Sequence, residues 1–215
     1  MIKAMRTAAS GMVSQQMNVD NIANNLANMN TTGFKRSRIE FQDVLYQKYR
    51  RAGSATAIGS RVSNELAIGY GTRPVATVRQ YTVGDLTQTG NPLDLAITGD
   101  GFFQLQHPDG GTVYTRDGGI KLSADGRLVN SDGYIILPEI TIPEDATSIA
   151  IGKDGSIQVM QIGSDEPTEV GQLELARFIN PAGLSAIGRN LLEMTAASGD
   201  PITDVPGQND IGEID

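Results

Sequence analysis

Apolar and small residues recur at steps of three and four through the first 30 positions, which is the spacing of one helical face. No proline occurs before Pro74, and Gly11 is the single weak helix former before Gly33, so little opposes a continuous helix. At about 1.5 Å per residue, a helix over residues 3–29 would be roughly 40 Å long. The residues of its apolar seam are Met5, Ala9, Met12, Val13, Val19, Ile22, Ala23 and Leu26.

A helix of this length cannot bury its apolar seam on itself, so the sequence predicts a partner for it. Three partners remain open on the residues alone: other chains in an assembly, the β-rich remainder of the same chain, or a membrane surface. Six asparagines lie between Asn18 and Asn30. They are explained either as surface polarity or as side chains that fix the packing of neighbouring helices.

The rest of the chain has the pattern of a β protein. Residues 34–51 are mixed and allow a short helix, whereas residues 52–71 are poor in bulky side chains and predict an extended or flexible connector. From Arg73 the apolar period is two, and Asp-Gly pairs separate short strand candidates. We therefore predict a mainly β fold with a long N-terminal helix, an extended connector and an antiparallel β-sandwich or irregular barrel.

Charge and composition exclude several functions. The chain has a net charge of −8, but residues 1–51 hold eight basic and three acidic residues, a local net of +5. Cysteine is absent, and the single histidine, His107, lies beside Pro108-Asp109-Gly110 in a predicted loop. The sequence therefore predicts no thiolate site, two-histidine metal site or ordinary catalytic triad. The Asp-Gly pairs lack calcium-loop spacing. We predict no enzyme, cofactor, metal site, nucleic-acid partner, cleaved signal peptide or membrane-spanning segment.

The segment at residues 21–35, NIANNLANMNTTGFK, resembles the N-terminal signature of the axial proteins that form the rod and hook of the bacterial flagellum. The resemblance continues at residues 90–103, 114–118 and 123–126. Residues 46–77, 140–155 and 170–173 are similar, more narrowly, to the distal-rod members of that family. The signature residues are Asn24, Asn25, Leu26, Ala27, Asn28, Thr32, Gly33 and Phe34.

The resemblance implies a structural subunit of the distal rod, which assembles into a hollow helical tube and transmits torque. It also implies export through the flagellar type III apparatus, and contacts with copies of itself, proximal rod proteins, the hook protein and the P-ring and L-ring. A hook or proximal rod subunit is the alternative within the family, and a secreted β-rich enzyme or carbohydrate-binding module is the alternative outside it. The Asn cluster is then expected to belong to the packing surface.

The predicted organisation has four parts. The first is the assembly helix, and the second is a connecting region whose residues 46–72 are specific to the rod and lie between neighbours. A β-rich outer domain follows, and then a segment that returns toward a C-terminal helix that family members have and this sequence does not contain. The boundaries are residues 1–33, 34–92, 93–199 and 200–215.

Overall fold

The computed structural model describes residues 1–57, 60–163 and 166–215. Positions 58–59 of the predicted 46–72 segment lie outside the described residues, as do positions 164–165 of the predicted outer domain.

The chain forms two compact units, each built from two stretches of sequence. Residues 1–29 and 36–80 form the first, which we call the helix-and-ribbon unit. Residues 30–35 and 81–215 form the second, which we call the β unit. The predicted boundary at residue 33 therefore falls inside a short stretch that packs with the β unit.

Helix α1 spans Ile2–Ala27 and agrees with the predicted helix over residues 3–29 to within two residues at each end. It ends at Asn28, whose Nδ2 donates a 2.9 Å hydrogen bond to the carbonyl oxygen of Asn24. Asparagine suits this position because its side chain replaces helical backbone bonds.

The remainder of the first unit is a long two-stranded antiparallel ribbon. Its strands pair in nested order, the first with the last. The pair formed by the first and last strands contacts α1, and the other two pairs lie progressively farther along the ribbon. Backbone bonds between Val44 and Gly71, and between Tyr70 and Leu45, continue the ladder from the first pair to the next. The paired strands are β1 (Ser37–Asp43) with β6 (Thr72–Arg79), β2 (Tyr46–Arg50) with β5 (Leu66–Gly69), and β3 (Ala55–Ala57) with β4 (Ser60–Arg61).

The ribbon corrects one sequence expectation and sharpens another. Residues 34–51 contain strands and no helix. The connector over residues 52–71 is extended, which was one of the two predicted alternatives, and its described residues include paired strands. Antiparallel pairing satisfies the backbone polar groups of an extended chain without a hydrophobic core. A segment poor in bulky side chains can therefore be ordered by its own ladder.

The β unit contains the remaining strands, in one large and several small sheets. Its largest sheet joins nine strands, its second joins β13, β14 and β15, and none of the described sheets closes into a barrel. The strands are β7 (Ile97–Thr98), β8 (Phe102–Gln106), β9 (Thr112–Thr115), β10 (Lys121–Leu122), β11 (Leu128–Val129), β12 (Ile135–Leu137), β13 (Ala146–Ile151), β14 (Ser156–Gln161), β15 (Thr168–Gln172), β16 (Leu175–Arg177), β17 (Ser185–Gly188), β18 (Leu191–Glu193), β19 (Ile202–Asp204) and β20 (Glu213–Ile214).

Strand β8 shows how the core of this unit is divided. Phe103 and Leu105 belong to the larger core cluster, together with Ile157 and Val159 of β14, while Phe102 belongs to an aromatic cluster with Phe178. Successive side chains of a strand point to opposite faces, so one strand supplies both clusters. Strand β8 therefore lies between the two clusters and contributes to both.

The predicted fold class is confirmed as mainly antiparallel β with a long N-terminal helix. The barrel alternative is wrong for the described sheets. The predicted return segment, residues 200–215, is more regular than expected, because β19 pairs with β16 and β20 pairs with β7.

Candidate assembly surface

Helix α1 contacts its own ribbon, but it does so through a polar face. This face touches β1 and β6, and at its centre Ser14 is only 3% exposed. The other residues of this face are partly covered. Small and polar side chains therefore make a contact that apolar side chains make in most surface helices. The polar face consists of Thr7, Ser10, Gly11, Ser14, Asn18, Asn21, Asn25 and Asn28.

The predicted apolar seam lies on the other side of the helix. At 3.6 residues per turn, residues nine positions apart lie on opposite sides. Met5 and Ala23 are each nine positions from Ser14, and Ala9 is nine positions from Asn18. All eight predicted seam residues are exposed, and we call them the apolar stripe: Met5, Ala9, Met12, Val13, Val19, Ile22, Ala23 and Leu26.

The exposure of the apolar stripe is large for long aliphatic side chains. Met12 and Leu26 are each 68% exposed, and Val19 is 61% exposed. A contiguous row of such side chains is typical of an interaction surface, whereas isolated exposed apolar residues are not informative. The helix therefore packs on its own chain without burying the face that most needs a partner.

Both ends of α1 are fastened to the ribbon by polar contacts. Near the N-terminus, Lys3 Nζ donates a 2.6 Å hydrogen bond to Gln47 Oε1 and lies 5.8 Å from the centre of the Tyr70 ring. Near the C-terminus, Asn21 and Asn25 hydrogen-bond to Ser37. The contacts at both ends depend on side chains that a search for apolar periodicity does not find.

The signature residues have different surroundings in the two units. Within the helix-and-ribbon unit, Asn25 and Asn28 are partly covered, whereas the three residues Asn24, Leu26 and Ala27 are exposed. The Asn cluster is thus partly a packing surface, and what it packs on is the ribbon of its own chain.

Within the β unit, the rest of the signature is held against two loops. The Thr32 carbonyl accepts a 3.0 Å hydrogen bond from Asn190 Nδ2, and Phe34 is half-buried. Gly33 has φ +70°, and a Cβ at this position would lie 2.7 Å from the carbonyl oxygen of Arg116. This close approach requires glycine.

Arg116 is the most buried charged group in this region. Its side chain is 5% exposed, its NH2 lies 4.0 Å from Asp100 Oδ1, and its Cζ lies 5.1 Å from the centre of the Phe102 ring. Burial lowers the pKa of Arg116, while Asp100 acts in the opposite direction. Burial lowers the pKa of Lys35 as well, and the positive charge of Arg116 lowers it further. These charged groups have a structural role in the loop.

The part of the ribbon beyond β1 and β6, which we call the outer ribbon, is exposed and carries aromatic, aliphatic and basic side chains. Tyr49 is 58% exposed and Ile68 is 59% exposed, and the arginines Arg50, Arg51 and Arg61 are exposed around them. This surface lies in the segment whose sequence is similar to distal-rod proteins. Its side chains suit contacts with another surface, and no neighbour is present in the structure.

Metal-ligating side chains are not clustered in the part of the chain that the structure describes. No group of three or more His, Cys, Asp or Glu side chains could hold a metal ion there. The single histidine, His107, lies 3.1 Å from Asp109 at a turn. No described helix is long and apolar enough to cross a membrane. The fold and the exposed helix thus define a structural protein that offers a surface to other chains.

The comparisons with known proteins agree with this class. Two family descriptions match: "Flagella basal body rod protein" over residues 5–35, and "Flagellar hook protein FlgE/F/G D1 domain" over residues 96–159. The first covers α1 and the signature, and the second covers much of the β unit.

The full-length relatives are flagellar basal-body rod proteins named FlgG. The one from Borreliella burgdorferi is 47% identical over 216 residues, which are 100% of this chain and 82% of that protein. The one from Caulobacter vibrioides is 48% identical over 214 residues, 99% of this chain and 82% of that protein. The one from Buchnera aphidicola subsp. Schizaphis graminum is 45% identical over 212 residues, with 99% and 82% covered.

The chain belongs to the family of flagellar basal-body rod proteins, and it is a structural subunit of the rod in the basal body. It is not an enzyme, because this family is structural. The alternative of a secreted enzyme or carbohydrate-binding module is therefore wrong.

Sequence reasoning identified the apolar stripe but missed the polar face and Ser37. A signal for the polar face was present, since Thr7, Ser10, Ser14, Asn18 and Asn21 follow the same spacing of three and four. A row of small polar residues at helical spacing, like a row of apolar ones, indicates a helix face that packs on another element.

Proposed function

We propose that the chain is a distal-rod subunit that assembles with copies of itself into a hollow helical tube, which transmits torque from the motor to the hook. The apolar stripe of α1 makes the helix–helix contacts that line the tube, and the outer ribbon lies between neighbouring subunits. The observation that carries this proposal is the exposure of all eight stripe residues while the opposite face of α1 packs on the ribbon.

The energetics favour assembly through the apolar stripe. Fully burying a Val, Leu, Ile or Met side chain contributes roughly 1.5–3 kcal/mol. Several such side chains on each helix, repeated along a tube, give a contact that is strong in the assembly and absent from the monomer. Stiffness then follows from the number of repeated contacts.

The other partners that we propose for the subunit follow from the position of the rod in the flagellum. Subunits are exported by the flagellar type III apparatus without a cleaved signal peptide, join proximal rod proteins at one end and hook protein at the other, and turn inside the P-ring and L-ring. This places the subunit in the rod where it crosses the periplasm. The narrower sequence similarity at residues 46–77, 140–155 and 170–173 supports the distal rod.

Charge substitutions in the apolar stripe test the proposal. We expect Met12→Asp and Leu26→Asp to abolish tube formation, seen by electron microscopy of the full-length protein, because each places a carboxylate in a buried seam. Since both side chains are 68% exposed in the single chain, the free energy of unfolding of the monomer should change by no more than about 0.5 kcal/mol.

The matched control is Arg6→Gln, which changes the charge by the same amount at an exposed site on the same helix outside the apolar stripe. It should assemble like the wild type. Tubes of normal yield and straightness from the stripe variants would contradict the proposal, as would stripe variants whose monomers are unfolded.

A hook or proximal rod subunit is the second candidate, because the FlgE/F/G description also matches this chain. Deleting residues 46–69 separates the two. The backbone bonds that join Val44 to Gly71 and Leu45 to Tyr70 allow a short turn to close the shortened ribbon above β1 and β6. A distal-rod subunit should then form curved or soft tubes, whereas unchanged straight tubes would favour the second candidate.

A further inference from the structure

The start of strand β1 offers an unpaired peptide edge to the helix. Ser37 opposes Arg79 in the ladder, and the neighbouring residue Arg36 accepts a 3.0 Å bond from the Gln80 amide. In an antiparallel pair, successive residues alternate between bonding across the ladder and pointing their polar groups outward. The N–H and C=O of Ser37 are therefore available on the outer edge of β1.

Two asparagines of α1 occupy this edge. Asn25 Oδ1 accepts a 3.0 Å bond from the Ser37 amide, and Asn25 Nδ2 donates a 2.8 Å bond to the Ser37 carbonyl. Asn21 Nδ2 donates a second 2.8 Å bond to the same carbonyl, and Ser37 Oγ donates a 2.5 Å bond to Asn21 Oδ1. A longer contact of 3.5 Å joins Ser37 Oγ to Asn25 Oδ1. We call this arrangement the Ser37 bracket.

The bracket has a chemical requirement that asparagine meets. The amide of Asn25 presents a donor and an acceptor side by side, as a neighbouring strand would, and so satisfies both backbone groups of Ser37. Aspartate lacks the donor, and alanine lacks both groups. Asn21 and Asn25 are one helical turn apart, so their side chains project from the same face and can converge on one peptide unit.

The bracket is one of two polar attachments that set the direction of the ribbon, the other being the bond from Lys3 to Gln47. At about 3.3 Å per residue, the strand path beyond Gln47 extends roughly 33 Å to Ala57, so a rotation of about 10° between ribbon and helix would displace the far end of the ribbon by about 6 Å. That displacement exceeds the length of a hydrogen bond. A ribbon that must meet a neighbouring subunit therefore needs a fixed angle to its helix.

We infer that Asn21 and Asn25 are positioning residues for assembly: acting through the backbone of Ser37, they fix the angle between the ribbon and the helix that bears the apolar stripe. The inference rests on the proposed function for its consequence in the tube. Its first consequence, a fixed angle in the single chain, does not depend on assembly.

The single-chain consequence is tested with spin labels. The chain has no cysteine, so cysteines introduced at Gln15 and Arg51, both exposed, label α1 and the ribbon specifically. We expect a narrow distance distribution in the wild type, and a broader or shifted one in Asn25→Ala and in the double variant with Asn21→Ala. Asn24→Ala is the matched control, since the Asn24 side chain is exposed and makes no hydrogen bond among the described residues.

Hydrogen exchange reports on the bracket itself. A lost hydrogen bond worth about 1.4 kcal/mol corresponds to a factor of ten, so the Ser37 amide should exchange up to about tenfold faster in Asn25→Ala. Asn25→Asp keeps the acceptor for the Ser37 amide but places a carboxylate oxygen against the Ser37 carbonyl. It should therefore keep the amide partly protected and still broaden the distance distribution.

In the full-length protein, the Asn25 variants should form fewer or curved tubes, while Arg6→Gln tubes match the wild type. The inference is overturned if Asn25→Ala gives the same distances as Asn24→Ala, or if its tubes are as straight as those of Arg6→Gln although the ribbon angle has become broad. If Asn25→Ala fails to fold, Asn21→Ala removes one of the two bonds to the Ser37 carbonyl, and unchanged distance distributions in both Asn21→Ala and Asn25→Asp would count against the inference. A wild type that forms no tubes would refute the proposed function, while the distance measurement would still decide the angle.

Discussion

The two units differ in where their apolar side chains lie. Every buried hydrophobic residue among the described positions belongs to the β unit, where Phe102, Phe103 and Leu105 are each 1% exposed. In the helix-and-ribbon unit most of the large apolar side chains are exposed, including Ile2 at 72% and Ile68 at 59%, and none of the described ones is buried. One unit has a core of its own, and the other has apolar surface without a core.

This difference separates two ways of specifying structure. The β unit is held by burial, which is non-directional and strong, whereas the helix-and-ribbon unit is held by a backbone ladder and by polar contacts at few positions. A segment with few buried apolar contacts opens locally at low cost. We expect the helix-and-ribbon unit to be the less stable one in the monomer, and to reach full stability only when its apolar surface is covered.

Truncating one apolar side chain in each unit is the strongest test of this contrast. Phe103→Ala leaves a cavity beside Leu105 and should lower the free energy of unfolding of the β unit by roughly 3–5 kcal/mol. Ile22→Ala, at a position 56% exposed, should change the stability of the monomer by less than about 0.5 kcal/mol. Denaturant unfolding followed by circular dichroism measures both. Equal losses would show that the apolar stripe is already buried in the monomer.

Gly33→Ala should have a smaller but clear effect on the β unit. A Cβ at this position would lie 2.7 Å from the Arg116 carbonyl oxygen, and the φ of +70° is unfavourable for alanine. We expect a loss of roughly 2–3 kcal/mol, since strain of this kind costs about 1–3 kcal/mol. Thermal unfolding checks the loss.

Gly133→Ala is the matched control for Gly33→Ala, because both glycines lie in the β unit. Its φ is +86°, but a Cβ there would meet nothing within 4 Å, so it isolates the conformational cost of about 1 kcal/mol. If the two variants lose the same stability, the contact with the Arg116 carbonyl contributes nothing. The difference between them measures how tightly the signature is held by the β unit.

The same contrast explains what the sequence could reveal. Helix α1 was predictable to within two residues because its apolar stripe has a strong period, even though that stripe is exposed. The Asp-Gly turns and the short strand candidates between them indicated the antiparallel β unit for a related reason, since burial imposes a period that is visible in one sequence. The alternation after Arg73 marks β6, a strand of the ribbon.

The ribbon and the bracket were not predictable in the same way. The described residues of the ribbon have no buried face, so no hydrophobic period marks β2 or β5. Asn25 acts on the backbone of Ser37, twelve positions away, and no residue type at position 37 is required to supply an N–H and a C=O. Strands β19 and β20 pair with strands far from them in sequence, which a local pattern does not show.

The smallest expected effect comes from Arg116, a buried charge in the unit that is otherwise held by burial. Its guanidinium makes no hydrogen bond among the described residues, its Nε is fully buried, and its nearest carboxylate oxygen is 4.0 Å away. Replacing a buried charge by a hydrophobic side chain of similar volume is often neutral or stabilising. We expect Arg116→Met to change the free energy of unfolding by no more than about 1 kcal/mol, in either direction.

Arg116→Lys is the informative companion, because it keeps the charge and loses the planar group that lies over Phe102. An ammonium is more strongly hydrated than a guanidinium, so its burial costs more. Lysine should therefore be less stable than methionine at this position, by denaturant unfolding at neutral pH. The opposite order, with methionine losing several kcal/mol, would mean that the charge itself stabilises the β unit through an acceptor other than Asp100. The contrast between a unit held by burial and a unit held by polar contacts would then be less sharp than the structure indicates.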